Sequence, residues 1–249
     1  MAASFDIRER NAVFERAKPE EVIAWALGEF RGRLALTSSF GPESGVLLHM
    51  ASRQDPHIPV LFLDTGFHFK ETLDYKKQIT RFLGLKNVID LHADPVAREA
   101  LMREHGGTPY EKDPDRCCQL HKVEPLDRAI QAYGAWMSGI RRHQTDLRKT
   151  VQVIEEYEGG LYKISPLVNF SSREAWWYLK EHKIPLHPLY EKGYLSIGCW
   201  PCTRPVQVGD DERSGRWAGR AKTECGIHRM RQKPPAEEKQ PPTDLSSNI

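Results

Sequence analysis

The five cysteines of this chain fall into two pairs and a single thiol. Cys117 and Cys118 are adjacent, Cys199-Trp200-Pro201-Cys202 is a CxxC pair, and Cys225 stands alone in Lys222-Thr223-Glu224-Cys225-Gly226-Ile227-His228. Two pairs of thiolates can hold zinc or a [4Fe–4S] cluster. Zinc sites of this kind use two CxxC hairpins. Adjacent cysteines point in alternating directions, which is awkward around one tetrahedral ion and suits the separate iron corners of a cubane. The pattern therefore points first to a cluster, with zinc or free redox thiols as alternatives. An odd cysteine count argues against a disulfide framework. Cys225 is then left over, and a lone thiol becomes a nucleophile where cations stabilise its thiolate. Lys222, His228 and Arg229 are near it in sequence, and Glu224 opposes them.

Basic residues gather elsewhere too. Arg213 and Arg216 lie in Asp211-Glu212-Arg213-Ser214-Gly215-Arg216-Trp217, and Arg141-Arg142 follow a strand-like run. A guanidinium donates two hydrogen bonds to a tetrahedral oxyanion such as sulfate or phosphate. Lys122 lies four residues after Cys118 and shares its face if the segment is helical. There it either offsets cluster charge and reaches a substrate anion, or is a solvated surface lysine. Two turns complete the set. Thr37-Ser38-Ser39-Phe40-Gly41-Pro42-Glu43-Ser44 offers hydroxyls and backbone N–H groups at a helix start, which suits a phosphate and equally describes a serine-capped turn. It is no Walker loop, because the Gly-Lys-Ser/Thr ending is missing. Leu63-Asp64-Thr65-Gly66 closes another strand-like run.

These groups need a scaffold, and the apolar pattern supplies one. Helical spacing is predicted over residues 18–30, 43–53, 69–83, 122–133 and 171–183, the last opened by a capping pattern of Ser171, Ser172 and Glu174. Buried strands are predicted over 33–39, 59–64, 87–91, 135–138 and 161–164. Strands alternating with helices predict an α/β fold, a doubly wound and mostly parallel sheet. In such a sheet ligands bind beyond the carboxyl ends of the strands, so the Ser38 and Asp64 turns would face one crevice. Residues 1–208 read as a nucleotide-binding domain carrying the paired cysteines, 209–231 as a mobile C-terminal segment carrying the lone thiol, and the Pro- and Glu-rich stretch 232–249 as a disordered tail.

Composition bounds the partners. The 249 residues carry 36 basic and 34 acidic side chains, a net +2, so no global field draws the chain to nucleic acid. No apolar run is long enough to span a membrane, and the charged start is no signal peptide, so the expected location is the cytoplasm. The sequence does not fix the oligomeric state, and a homo-oligomer is compatible with it.

Taken together, these motifs resemble the assimilatory adenylyl-sulfate reductases, relatives of the phosphoadenylyl-sulfate reductases and of the ATP-pyrophosphatase, adenine-nucleotide-hydrolase-like fold group. The resemblance runs from about Ala35 to His228. Its carriers are Ser38-Ser39-Phe40-Gly41, Leu63-Asp64-Thr65-Gly66, Cys117-Cys118, Trp136 to Arg142, Cys199-Trp200-Pro201-Cys202 and Glu224-Cys225-Gly226-Ile227-His228. The resemblance implies one [4Fe–4S] cluster per chain on Cys117, Cys118, Cys199 and Cys202, with Cys225 as nucleophile. It implies that Lys122 links the cluster to the phosphosulfate and that Arg213, Arg216 and His228 bind the sulfate end. Ser38, Ser39, Phe40 and Gly41 would hold the 5′-phosphate region, and Leu63, Asp64, Thr65 and Gly66 would contact adenine. Gly139 with Arg141 or Arg142 would supply the family's mid-chain arginine site. The implied reaction is reduction of adenosine 5′-phosphosulfate to sulfite and AMP through S-sulfo-Cys225, with thioredoxin or a glutaredoxin-like protein as reductant. A phosphoadenylyl-sulfate reductase and a zinc-stapled nucleotide-binding module without catalysis are the alternatives.

Overall fold

The computed structural model describes residues 5–207 and 209–228. Strands β1 (Leu34–Thr37), β2 (Val60–Leu63), β3 (Val88–Leu91), β4 (Ala135–Ser138), β5 (Ile154–Tyr157) and β6 (Leu161–Ile164) form one six-stranded sheet in the order β3-β2-β1-β4-β6-β5. All neighbours are parallel except β5, which runs antiparallel along β6. The central strands are continuous apolar runs, Leu-Ala-Leu-Thr in β1 and Val-Leu-Phe-Leu in β2, as parallel strands covered on both faces must be. The helices are α1 (Ile7–Phe14), α2 (Pro19–Glu29), α3 (Ser44–Gln54), α4 (Lys70–Leu83), α5 (Pro95–Glu104), α6 (Pro109–Lys112), α7 (Pro114–Cys118), α8 (Glu124–Ile130) and α9 (Ser172–Glu181). Their ends follow local chemistry. The Ser171 hydroxyl accepts from the Glu174 N–H at the start of α9 while Glu174 accepts from the Ser171 N–H, and Gly84 closes α4 in the left-handed conformation.

The chain winds from β1 outward to β3, then returns to place β4 on the other side of β1. The strand order therefore reverses between β1 and β4, and a crevice opens beyond their carboxyl ends. The two strands are locked in register from Leu34 opposite Ala135 to Thr37 opposite Ser138, and the Thr37 hydroxyl donates to the Met137 carbonyl oxygen at 3.0 Å. The strands and helices predicted from the apolar pattern occur with their ends within a few residues. The pattern does not anticipate α1, α5, α6, α7 or β5. Strand β5 reads Ile-Glu-Glu-Tyr, with two charges where an apolar alternation would be sought. It survives as an edge because the Asn11 side chain of α1 brackets it, donating to the Ile154 carbonyl oxygen and accepting from the Ile154 N–H.

One buried ion pair supports this edge. Lys163 on β6 has no exposed side-chain surface and donates to Glu155 on β5 at 2.7 Å. Burial lowers the Lys163 pKa against the pull of Glu155. Replacing Glu155 by Ala strands the ammonium, and a loss of about 3–5 kcal/mol is expected in guanidinium unfolding followed by circular dichroism. The double variant Glu155→Met with Lys163→Met is expected to lose far less.

Candidate active site

A cleft of about 230 Å³ occupies the crevice. Ser38, Ser39 and Gly41 line it from the β1–α3 turn, Leu63 from the end of β2, and Ser138, Gly139 and Arg141 from the end of β4. Lys122 and Cys199 form its inner wall, and Arg213, Arg216, Cys225 and His228 close it from the C-terminal segment. Residues that sequence reasoning drew from separate stretches thus surround one space.

Phe40, Asp64, Thr65, Gly66 and Arg142 of the sequence-predicted set lie just outside it. Phe40 is fully buried beneath the turn, edge-on to Phe62 at 5.4 Å with a left-handed φ of 48°. Asp64 commits a carboxylate oxygen to the Gly66 N–H, and Gly66 faces solvent. The Thr65 hydroxyl is 3.3 Å from Cys199 Sγ, which makes it a neighbour of the cysteines. Arg141 and Arg142 separate cleanly. Arg141 is buried in the cleft wall, paired with Glu43, with its Nε unpartnered. Arg142 turns away, its fork held by Glu15 at 2.6 and 2.8 Å, Asn169 and the Val151 carbonyl oxygen. Of the two, Arg141 faces the cleft, whereas Arg142, which opens a short 3₁₀ turn, faces away from it.

The four paired cysteines share a second, smaller cavity, of about 10 Å³, that abuts the cleft. Local structure explains how. The Asp113 carboxylate caps α7 by accepting from the Arg116 N–H at 2.9 Å, with Pro114 in the first turn. The helix ends at Cys118 and continues as a π-helical turn over Gln119–Val123. A π turn puts residues five apart on one face, so Cys117 and Lys122 both look inward with Cys118 and His121, all at 9% exposure or less. The CxxC pair comes from the far end of the sequence. It is stitched to the turn after β2 by an antiparallel bridge of His68 with Cys199 and by the Trp200 N–H donating to the Phe67 carbonyl oxygen at 2.7 Å. Gly198 lets the Arg216 guanidinium approach so closely that any Cβ there would collide with it.

Charge in this corner is unusual. Burial, reinforced by Cys118, Cys199 and Cys202, pushes the Cys117 thiol up to about 12, and burial pushes Cys118 up to about 11 against Lys122. Burial works against the Lys122 ammonium too, yet charge on Cys199, Cys225 and Cys118 outweighs it and holds its pKa above the ordinary lysine range. Four soft thiol donors gathered in one buried corner suit a thiolate-bound metal group. Among the described residues no three Cys, His, Asp or Glu side chains converge as they would about a single ion. The free space admits little more than a water, so a larger group would require the side chains to rotate outward.

Several site residues carry no sequence signal. Trp217 is 3% exposed, and Arg216, Lys222 and Lys122 sit over its ring at 4.5, 5.7 and 6.0 Å. Its backbone N–H donates to the Cys202 carbonyl oxygen, tying the C-terminal segment to the CxxC turn. His68 lines the cleft with Nε2 donating to the Leu63 carbonyl oxygen at 2.7 Å, and burial lowers its pKa. Arg148 grips Glu224 with Nε at 2.6 Å and Nη2 at 2.9 Å. Burial would raise the Glu224 carboxyl, but Arg148, Arg213 and Thr145 hold it below the ordinary range. Lys122 and Arg213 both interact electrostatically with Cys225, and burial pushes Arg213 down to about 10. His228 differs from the expectation of a nearby cation. Burial first, then Arg148, Lys163 and Arg213, drive its pKa well below 6.5, so it is a neutral imidazole. Its own carbonyl oxygen accepts from the Tyr157 hydroxyl at 2.8 Å. Arg229, the remainder of the expected catalytic segment to residue 231 and the tail read as disordered over 232–249 lie outside the described residues.

Among the described residues no helix is long and apolar enough to cross a membrane. Residues 33–205 match the model of the phosphoadenosine phosphosulfate reductase domain. The chain is 43% identical to an adenosine 5′-phosphosulfate reductase of Chelativorans sp. over 91% of its length and 92% of that protein's. It is 41% identical to a phosphoadenosine 5′-phosphosulfate reductase of Gloeobacter violaceus over 86% of this chain and 90% of that one. Among solved structures it resembles the phosphoadenylyl-sulfate reductase of Candida auris in a phosphate complex, with a TM-score of 0.69, 28% identity, and coverage of 81% of this chain and 98% of that one. It shares the fold of Candida glabrata FMN adenylyltransferase, with a TM-score of 0.56, 18% identity, and coverage of 82% and 69%.

Proposed function

Because this chain belongs to the phosphoadenosine phosphosulfate reductase family, we propose that it reduces adenosine 5′-phosphosulfate to sulfite and AMP in assimilatory sulfate reduction, with a thioredoxin as reductant. One observation carries the reading: Lys122 and Cys199 line both the cysteine cavity and the nucleotide cleft, and Cys225 closes that same cleft. That continuity supports a metal group on the four thiols, an anion in the cleft and a nucleophile at its rim.

The donor set favours a [4Fe–4S] cluster on Cys117, Cys118, Cys199 and Cys202. Adjacent Cys117 and Cys118 line one cavity with the CxxC pair, and four thiols of this kind suit the separate iron corners of a cubane. When bound, the cluster would supply fixed charge beside the phosphosulfate. The remaining steps belong to the chain's own side chains. The β1–α3 turn, with Ser38, Ser39 and Gly41, would hold the 5′-phosphate, and Leu63 would pack on adenine. Lys122, Arg213 and Arg216 would bind the phosphosulfate oxygens, and Arg141 would face the same anion. The Cys225 thiolate would attack the sulfate sulfur; the S–O bond to phosphate breaks and AMP leaves with the electron pair, giving Cys225–S–SO₃⁻. A thioredoxin thiolate would then attack Cys225 Sγ, expelling sulfite with the electron pair of the S–S bond and leaving a mixed disulfide. The second thioredoxin thiol would resolve that disulfide and return Cys225 to its thiolate. Thioredoxin supplies both electrons. Neutral His228 would place a hydrogen bond at the mouth and leave the positive charge there to the two arginines.

The test is anaerobic purification followed by turnover. About four irons and four sulfides per chain are expected, with broad absorbance near 400 nm. AMP and sulfite should form with reduced thioredoxin, faster from adenosine 5′-phosphosulfate than from its 3′-phosphorylated analogue. A colourless protein with one zinc would overturn the cluster. Preference for the 3′-phosphorylated nucleotide would move the chain to the activity named for its Gloeobacter relative.

A further inference from the structure

The proposed catalytic thiol sits next to a carboxylate, which is a poor neighbour for an attacking anion, and that carboxylate is the most heavily tied group of its segment. Glu224 accepts two hydrogen bonds from Arg148, one from Arg213 at 3.3 Å and one from the Thr145 hydroxyl at 3.3 Å. Arg148 is only 7% exposed and is itself fixed by donating to the Gln144 side-chain oxygen. Both arginines line the nucleotide cleft. Arg213 also donates to the Thr223 carbonyl oxygen at 3.0 Å, so the backbone just before Cys225 is held on two sides. The partners come from the loop after β4 on one side and from the C-terminal segment on the other, and Cys225 follows in the next position.

We propose that the Glu224–Arg148 ion pair is the latch that positions Cys225 over the cleft, with Arg213 shared between this latch and the anion in the cleft. Arg148 and Glu224 are positioning residues, acting through the placement of Cys225; the proposal rests on Cys225 being the nucleophile. Sharing has a consequence. An oxyanion that recruits Arg213 leaves Glu224 held by Arg148 and the Thr145 hydroxyl, which loosens the latch. Release of the latch would free the Cys225 segment to swing away from the cleft, where an external thiol can reach S-sulfo-Cys225.

The latch is tested first without nucleotide, so a wrong substrate assignment does not disturb that measurement. The cluster-loaded full chain is treated with iodoacetamide under anaerobic conditions, and the Cys225 adduct is followed by peptide mass. Glu224→Gln and Arg148→Lys are each expected to speed alkylation by about tenfold or more, the factor set by losing one charge-assisted hydrogen bond. Thr145→Val, which removes only the neutral hydroxyl, should give a smaller increase and secures the test if a charge variant fails to fold. In single turnover, the charge variants should form S-sulfo-Cys225 more slowly, while thioredoxin releases sulfite from the preformed adduct at least as fast as in the parent. Alkylation rates within about twofold of the parent in every folded variant would overturn the latch, because a group that positions the thiol must change its exposure when removed. Faster alkylation with unchanged S-sulfonation would equally overturn it, showing that the ion pair holds the segment without aiming the sulfur.

Discussion

Cys225→Ser is expected to abolish sulfite formation while leaving iron content, absorbance and nucleotide binding at parental levels. The hydroxyl is close in size to the thiol, and Cys225 is half-buried at the cleft rim, outside the cavity that the other four cysteines line. No packing argument therefore predicts a folding defect. The chemical argument predicts a complete loss of turnover. A serine hydroxyl has no anionic form near neutral pH, its attack would leave a sulfate ester instead of an S-sulfonate, and no thiol could then release sulfite by attack at sulfur. A loss of at least about 10⁴ in kcat, with the Kd for adenosine 5′-phosphosulfate within about threefold of the parent, is the expected split. Residual turnover above that level would mean that another cysteine or an external thiol attacks the nucleotide directly. Intact-mass measurement separates the cases. Parent protein incubated with nucleotide and no reductant should gain one SO₃ on the peptide containing Cys225, and the variant should gain none.

The groups that could be found in the sequence are those whose chemistry demands a residue type. Only sulfur suits both the donor and the nucleophile roles proposed here, and the grouping of cysteines announced both. The Ser38 turn and the Arg141 neighbourhood were findable because strand ends are where a parallel sheet presents ligands. What the sequence withholds is pairing across distance. Arg148 and Glu224 are 76 positions apart, and each alone reads as a surface charge in a polar stretch. Trp217 reads as a stray aromatic, yet it gathers Arg216, Lys222 and Lys122 about one ring. The choice between Arg141 and Arg142 could not be made either, since it depends on which of two adjacent side chains points into the crevice. Lys122 was placed with the cysteines by assuming an α-helix. The chain uses a π-helical turn there instead, and the lysine reaches the same face by a wider loop of backbone. The edge strand β5 escaped notice for a related reason: it is braced by the side chain of Asn11, 143 positions earlier, with no apolar alternation to mark it.

Lys122→Ala should lower kcat by about 10²–10³ and alter nucleotide affinity much less, the pattern for a donor aimed at charge that grows in the transition state. As the S–O bond of the phosphosulfate breaks, negative charge accumulates on the departing phosphate. A cation already buried at that spot stabilises it without solvent reorganisation. Lys122 has the required setting: 9% exposed, in the wall shared by the two cavities, and kept charged because the sulfurs of Cys199, Cys225 and Cys118 outweigh the effect of burial. The same setting raises a rival explanation, that the lysine merely balances thiolate charge and its removal loosens the metal group. The two accounts differ in what else changes. A transition-state role leaves iron content and the absorbance near 400 nm intact and slows the single-turnover appearance of S-sulfo-Cys225. A purely structural role lowers iron content and activity in proportion, with normal kinetics for the fraction still loaded. Lys122→Arg sharpens the contrast, since it retains the charge but enlarges the head group against Trp217, 6.0 Å away. Partial recovery of kcat in Lys122→Arg, at unchanged iron content, would assign the lysine to the reacting anion; loss of iron in both variants would assign it to the cysteines.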